Sequence, residues 1–243
     1  HFGYRRQRQM CIRDSAFNAA ENISEEGTKQ DSLEFSLMKA RLEIYYENIP
    51  ANALRLFESK YAENPSDANL YGLALAYKKN NNFNEGLASL DKLLEKYPKN
   101  LVLNTTKVEF LSYFNKFNDA LDLANKFLEI SPKNYPLSIS KSQILLNMGQ
   151  YFESEEIIRD QLLRKNDSPE LWFMLSETQK TSQNIVGYHQ SRAEYFLLLG
   201  QDEKALNQLE FALQLTQNNF QVSDRIMTKI IEIKKSLQNS RGL

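Results

Sequence analysis

Apolar side chains recur along most of this 243-residue chain at the spacing of an amphipathic helix. In the clearest part, residues 67–134, they follow an i, i+3 or i+4, i+7 pattern, and short polar turns separate the stripes. Such a stripe is buried against neighbouring helices, while the opposite face of the helix stays in water. The stripe residues are Leu70, Leu73, Ala74, Tyr77, Leu87, Leu90, Leu93, Leu94, Leu103, Val108, Leu111, Leu121, Ala124, Phe127 and Leu128. The pattern predicts an all-α chain of paired helices.

Two consecutive segments of equal length, 67–100 and 101–134, are copies of one helix–turn–helix unit. Both end in Pro-Lys-Asn, and the sequence Phe-Asn-Glu-Gly-Leu at 83–87 matches Phe-Asn-Asp-Ala-Leu at 117–121. A fixed period of this length with helical patterning is typical of a helical solenoid, which stacks such units side by side. The unit resembles the tetratricopeptide repeat (TPR). That family's small residue at the helix crossing and its closing proline fall on Gly86, Ala120, Pro98 and Pro132.

The rest of the chain extends this organisation, and residues 31–243 are predicted to form a TPR-type solenoid of antiparallel helix pairs. A helix begins at Pro169, but we predict that the register changes there. Residues 186–200 then form a new first helix, and residues 202–216 form its second helix. The predicted segments are repeats at about 31–66, 67–100, 101–134 and 135–168, an irregular stretch at 169–185, a repeat at 186–219 and a capping helix at 220–238.

Composition is that of an ordered, water-soluble chain, with 42% apolar and 25% charged residues. A net charge of −1 gives no electrostatic reason to expect a nucleic acid or an acidic membrane surface as partner. No apolar run reaches the roughly 18–20 residues that a membrane span needs. The single cysteine, Cys11, excludes an internal disulfide and a cysteine-based zinc cluster.

The first fifteen residues differ from the rest, because they carry four arginines and the only cysteine without a helical period. A basic targeting arm is one interpretation, but no apolar segment follows, so residues 1–15 are not a secretory signal peptide. We expect instead that residues 1–15 are non-native sequence of the kind that adapter read-through produces, and that the true N-terminus is missing. Residues 16–30 are polar and weakly patterned, and are predicted to be a linker or the remnant of an upstream catalytic domain.

A catalytic constellation is not found in the sequence. The histidines are His1 and His189, no HExxH motif occurs, and neither phosphate-binding glycine loops nor a GxSxG motif are present. We expect His189 and Trp172 to be packed between helices, and the glutamate-rich faces to be solvated. The chain is therefore predicted to be no enzyme by itself and to hold no metal and no cofactor.

The partner-binding surface of a helical solenoid lies along the first helices of its pairs, where an extended segment or a helix of another protein can bind. The mixture of tyrosine, amide and modest charge at these positions favours extended or unfolded polypeptide. A TPR carboxylate clamp needs several Lys, Arg and Asn side chains together, and only Lys78, Lys79 and Asn147 qualify. The predicted surface residues are Tyr71, Leu75, Lys78, Lys79, Thr105, Glu109, Ser112, Tyr113, Ile139, Gln143, Leu146 and Asn147.

Two stretches of the sequence resemble one particular group of TPR-containing proteins. Residues 31–42, DSLEFSLMKARL, resemble the junction after the catalytic domain of periplasmic zinc metallopeptidases of the BepA type, the β-barrel assembly-enhancing proteases. Residues 171–213 resemble the C-terminal TPR portion of the same proteins. This resemblance implies a TPR region that docks against a metallopeptidase domain in cis. It further implies a periplasmic location, with the outer-membrane β-barrel assembly machinery or misassembled client proteins as partners.

The family's zinc ligands and catalytic glutamate have no matching positions here, so zinc is expected only in an upstream domain. The alternative is a free-standing TPR adaptor with no protease domain. An in-frame HExxH upstream of Ala16 would favour the first interpretation, and a start codon with a signal peptide there would favour the second.

Overall fold

A computed structural model describes residues 32–216 and 218–241, with side chains to residue 238. These residues form twelve α-helices, and this part of the chain contains no β-strand, which confirms the predicted all-α fold. The predictions for residues 1–15 and 16–30 lie outside the described residues. The helices are α1 (Leu33–Tyr46), α2 (Pro50–Glu63), α3 (Asp67–Lys79), α4 (Phe83–Lys96), α5 (Leu101–Tyr113), α6 (Phe117–Ile130), α7 (Tyr135–Asn147), α8 (Tyr151–Arg164), α9 (Pro169–Thr181), α10 (Ile185–Leu198), α11 (Asp202–Gln214) and α12 (Phe220–Arg241).

Five helix starts share one capping arrangement, and each lies one repeat length after the last. In each, the side-chain oxygen of a serine or asparagine accepts a hydrogen bond from the backbone N–H three residues later, over 3.0–3.4 Å. An N-cap of this kind satisfies one of the free N–H groups of the first turn and stabilises a helix by about 1 kcal/mol. The capping residues are Ser32, Ser66, Asn100, Asn134 and Ser168.

The structure keeps this register through Pro169, where the sequence analysis predicted a change. Helix α10 follows α9 at the same offset that separates α8 from α7, and it packs against α9. Residues 186–200, predicted as a new first helix, therefore lie in the second helix of the pair that starts at Pro169. The register departs only afterwards, because α11 begins one position earlier than the spacing of α8 and α9 would place it. Its N-cap, Gln201, makes no side-chain capping bond.

The reason for the missed register is a shifted helix crossing. A Cβ atom added to Gly187 would lie 2.6 Å from Asn184 Nδ2 and 2.8 Å from Gln179 Nε2, so a larger residue would have to displace these two side chains. Gln179 is fully buried, accepts a hydrogen bond from the Ser191 hydroxyl over 2.7 Å and donates to Glu155 Oε1 over 3.0 Å. The amide of Gln179 thus stands at the buried position of Leu111 and Leu145 in the earlier pairs, and Gly187 lies one position before the small residue that the register predicts.

The described chain divides into two compact units, residues 32–89 and 90–241, with the division inside α4. In the first unit, α3 packs against both α1 and α2. Every residue from Leu70 to Ala76 is therefore buried. A Cβ atom on Gly72 would overlap the Phe57 ring, so this glycine allows α2 to approach α3 closely.

In the second unit each helix from α6 to α12 packs against the helix before it, and α5 also packs against α7. The crossing of α7 and α8 is polar: Ser142 and Ser154 are buried, their hydroxyl oxygens lie 2.9 Å apart, and Ser154 Oγ donates to the Ser142 carbonyl over 2.9 Å. The pair satisfies its own hydrogen bonds. An apolar cluster near the C-terminus consists of Ala193, Ala205, Leu209, Ala212, Ile226, Ile230 and Ile233.

Candidate partner-binding surface

In the first unit, two of the predicted surface residues are buried. The Tyr71 side chain has no exposed surface, and its hydroxyl accepts a hydrogen bond from Arg41 Nε over 3.0 Å. Leu75 is buried as well. Both side chains lie on the helix that α1 and α2 cover, so the prediction that Tyr71 and Leu75 face a partner is wrong for this arrangement.

The predicted lysines of the same unit are half-buried. The Lys79 ammonium group donates hydrogen bonds to the carbonyl of Ile44, over 2.8 Å, and to the carbonyl of Glu47. These carbonyls belong to the last turn of α1 and to its C-cap, where unpaired acceptors and the helix dipole favour a positive charge. Lys79 therefore has a structural role, and Lys78 is the remaining predicted lysine of this unit.

In the second unit, α5 and α7 pack against each other, so their remaining faces adjoin. On α5, Thr105 is buried, Glu109 and Ser112 are half-buried, and Tyr113 is exposed. The Tyr113 ring packs edge-on against Phe114, with ring centroids 5.0 Å apart. This contact holds an exposed aromatic ring at the end of α5.

On α7, Ile139 and Leu146 are half-buried, whereas Gln143 and Asn147 are exposed. Gln143 Nε2 donates to Asn147 Oδ1 over 3.2 Å, so the two amides form one polar strip along the helix. We call the exposed and half-buried residues Glu109, Ser112, Tyr113, Ile139, Gln143, Leu146 and Asn147 the α5–α7 surface. It combines one ring, two aliphatic side chains and several hydrogen-bonding groups, without a cluster of positive charge.

Helix α9 carries two further residues at the same repeat positions, which the sequence analysis missed. Phe173 is exposed and lies one repeat length after Ile139, and the half-buried Glu177 lies one repeat length after Gln143. They were missed because the register was predicted to change at Pro169. The capping serine Ser168, which continues the regular spacing of the N-caps, is the signal in the sequence that would have identified them.

Beside these residues lies Arg192 of α10. Its guanidinium carbon is 4.7 Å from the centroid of the Phe173 ring and 5.1 Å from that of Tyr195, distances at which a cation is attracted to a ring face. Atom Nη1 is buried and makes no hydrogen bond with any described residue, and it lies 3.7 Å from Glu177 Oε1. This guanidinium therefore keeps hydrogen-bonding capacity next to an exposed phenylalanine.

Two other candidate residues are packed between helices, as predicted. His189 Nδ1 lies 2.8 Å from Gln208 Oε1, and its ring is 5.5 Å from the ring of Phe211. Trp172 packs against the cluster around Ile158, and its indole N–H donates to the carbonyl of Asn166 over 2.8 Å. Neither arrangement provides a nucleophile or a metal ligand set.

Two side chains of the described residues have a shifted pKa. Burial, with Glu58 and Glu85 nearby, raises the pKa of the Tyr77 hydroxyl. Hydrogen bonds from its own backbone N–H and from the Ser168 hydroxyl lower the pKa of the Glu170 carboxyl. Glu170 lies in the first turn of α9, where a negative charge is favourable to the helix.

Metal sites and membrane-spanning helices are absent from the part of the chain that the structure describes. Within residues 32–216 and 218–241, no three His, Cys, Asp or Glu side chains are grouped to hold a metal ion. Of the twelve described helices, none combines the length and the apolar character needed to cross a bilayer.

No family model matches the sequence, and no curated protein matches it. Solved structures do match. PilW, a widely conserved type IV pilus biogenesis factor, superimposes with a TM-score of 0.57 at 17% identity, over 82% of this chain and 93% of PilW. PilF of Pseudomonas aeruginosa gives 0.52 at 12% identity, over 80% of this chain and 96% of PilF. A tetratricopeptide repeat protein of Parabacteroides merdae gives 0.50 at 14% identity, over 86% and 88%. These likenesses and the twelve helices show that the chain has the fold of a TPR-type helical solenoid.

Proposed function

We propose that this chain is a non-catalytic, partner-binding TPR region that holds extended or unfolded polypeptide on the α5–α7 surface and its neighbours on α9. The observation that carries this proposal is the adjoining of α5 and α7, which places an exposed ring and a strip of amides on neighbouring helices. Tyrosine and phenylalanine rings supply contact area with little loss of side-chain entropy, and amides hydrogen-bond to a peptide backbone whatever its sequence. Such a surface is suited to bind polypeptides of varied sequence and not one fixed charged motif.

We further propose that the chain belongs to a periplasmic zinc metalloendopeptidase involved in outer-membrane protein assembly and quality control. Support comes from the resemblance of residues 31–42 and 171–213 to the BepA-type proteins. In this proposal the zinc ion is held by an upstream domain in cis, and the TPR region recruits misassembled clients or the β-barrel assembly machinery.

The second candidate is a free-standing TPR adaptor, which the same fold would serve equally well. The two candidates differ in what precedes Ala16 in the source DNA. An in-frame HExxH domain would support the protease-associated region, and protease assays on this chain alone would then be blank. A start codon and signal peptide would overturn that proposal and leave the adaptor.

The binding proposal is tested with a fluorescein-labelled, unfolded outer-membrane β-barrel polypeptide, whose anisotropy is followed as the chain is added. We expect the double variant Tyr113→Ala/Phe173→Ala to bind about tenfold more weakly, because truncation of aromatic contact residues removes a large share of binding energy. Phe152→Ala is the matched control, since Phe152 is also exposed but lies on α8. Equal affinity of the double variant and the control would contradict the proposal.

A further inference from the structure

Helix α1 carries a row of large apolar side chains that point away from its own core. Phe35, Met38, Leu42 and Tyr45 are 41, 44, 52 and 73% exposed, whereas the buried residues of α1 are Leu37, Ala40 and Ile44. The four exposed residues follow one another at steps of three or four positions, so they lie along one side of the helix. We call these four residues the α1 stripe.

The repeat register shows that the positions of Phe35 and Leu42 are buried in most later pairs, whereas the position of Tyr45 is half-buried or exposed there. The evenly spaced capping residues Ser32, Ser66, Asn100, Asn134 and Ser168 align the first helices with one another. At the position of Phe35, three later helices carry fully buried leucines: Leu103, Leu137 and Leu171. At the position of Leu42, four later helices carry residues no more than 1% exposed: Ala76, Phe110, Ile144 and Thr178.

In several later pairs the second helix of the preceding pair packs against the first helix. Helix α2 packs against α3, with Phe57 against Gly72, which stands at the position of Met38. Helix α6 packs in the same way against α7, and α8 against α9. Among the described residues, no helix precedes α1. Phe35, Met38 and Leu42 thus occupy positions that pack against other helices in later pairs.

The chain itself contains a segment of suitable length and pattern. A nearly constant interval separates the start of a second helix from the start of the next first helix, as for α2 before α3 and α8 before α9. Counted back from Leu33, the same interval reaches Ser15 or Ala16. Just after that point, the sequence Phe-Asn-Ala-Ala at 17–20 repeats the pattern Phe-Asn-Glu-Gly that opens α4 and Phe-Asn-Asp-Ala that opens α6.

We propose that residues 16–30 of this chain bind the α1 stripe. Phe17, Ala20 and Ile23 supply the apolar contacts, because they recur at every third position along the segment. The segment is joined directly to α1, so its local concentration at the stripe is high and even a weak contact surface is occupied. The stripe is then an internal contact of this chain and not a client-binding face.

The test measures the reactivity of a thiol placed in the stripe of the full-length chain. Leu42→Cys and the control Ile130→Cys are made separately in a Cys11→Ser background, since Ile130 is 70% exposed and lies on α6. Maleimide labelling needs an accessible thiol, so a covered site reacts only after local opening. We expect the Leu42→Cys thiol to react at least about tenfold more slowly than the Ile130→Cys thiol, at a rate independent of protein concentration.

Addition of Phe17→Asp should restore fast labelling at Leu42→Cys. Global unfolding is recognised with Ile158→Cys, whose buried thiol must stay unreactive in the Phe17→Asp background. Fast labelling of Leu42→Cys without Phe17→Asp would show an open stripe and overturn the proposal. Slow labelling that survives Phe17→Asp, or that weakens on dilution, would overturn it in favour of another occupant, such as a second copy of the chain.

Discussion

The crossing of α7 with α8 and that of α9 with α10 solve one packing problem in two ways. Between α7 and α8, two serines satisfy each other, and the contact stays within the pair. Between α9 and α10, Gln179 and Ser191 have the same separation in sequence as the two serines, but the glutamine reaches out of its own pair to Glu155 of α8. The comparison shows that a repeat can keep its register while the hydrogen bonds at its helix crossing differ. They lie within one helix pair in the first case and also reach the preceding pair in the second.

The largest expected effect is that of Gln179→Ala. The substitution empties a fully buried site and leaves the Ser191 hydroxyl without its acceptor, so we expect a loss of about 3 kcal/mol in the free energy of unfolding. Urea denaturation followed by circular dichroism measures it. The matched change at the other crossing, Ser142→Ala, should cost far less, and equal losses would contradict the distinction between the two crossings.

Gly187→Ala should have the next largest effect. The added methyl group would lie 2.6 Å from Asn184 Nδ2 and 2.8 Å from Gln179 Nε2, and both are ends of side chains that can move at a cost of about 1–2 kcal/mol. Hydrogen exchange of α10 would report this loosening locally. Gly200→Ala is an unsuitable control because Gly200 has a φ of +66°, so Leu198→Ala at an exposed position of α10 serves instead. Unchanged exchange in Gly187→Ala would show that the crossing tolerates a Cβ atom.

A smaller effect is expected at the serine pair. Ser142→Ala removes the hydroxyl–hydroxyl bond and the 3.3 Å bond from Ser142 Oγ to the Ser154 carbonyl, but it leaves the 2.9 Å bond from Ser154 Oγ to the Ser142 carbonyl, so the loss should be about 0.5–1 kcal/mol. The double variant Ser142→Ala/Ser154→Ala should lose no more than the sum of the single variants, because both polar groups then disappear together. Denaturation midpoints of the three variants measure this. A loss above about 2 kcal/mol for Ser142→Ala would mean that the pair is not self-contained.

The smallest effect is a pH dependence that distinguishes α9 from α7. The pKa of Glu170 is lowered in the folded chain, by its own backbone N–H and by Ser168, whereas α7 has no acidic residue in its first turn. A lowered pKa adds stability above the ordinary value of 4.5, and this stability is lost as the pH falls through the folded-state value. The exposed carboxyl makes the effect small. Glu170→Gln should lower the melting temperature slightly at pH 7 and not at pH 2; an equal decrease at both would exclude ionisation as the cause.

Local signals in the sequence predicted the helical part of this fold well. Apolar stripes and turn residues between 67 and 134 are set by neighbours three or four positions apart, and the structure has helices there. The crossing at Gly187 depends on which side chain of α9 faces it, which no local pattern contains. Because this contact could not be recognised in the sequence, a change of register was predicted at Pro169.

The candidate surface was predictable only in part, for a related reason. Tyr71 has the repeat position of a surface residue, but its burial depends on α1 and on the hydrogen bond from Arg41. Lys79 likewise has a charge typical of a binding site, although its ammonium group donates hydrogen bonds to the carbonyls at the end of α1. Gln143 and Asn147 are exposed because no described element covers that side of α7.

The hydrogen bond from Gln179 to Glu155 also affects how the chain unfolds. In a linear array of repeats, the coupling between neighbours decides whether units melt one by one or together. A buried hydrogen bond from α9 to the carboxylate of α8 raises that coupling at one junction, whereas the serine pair contributes nothing between repeats. Residues from α8 to α10 should therefore unfold as one cooperative unit, and local unfolding of the neighbouring helices should not extend into it.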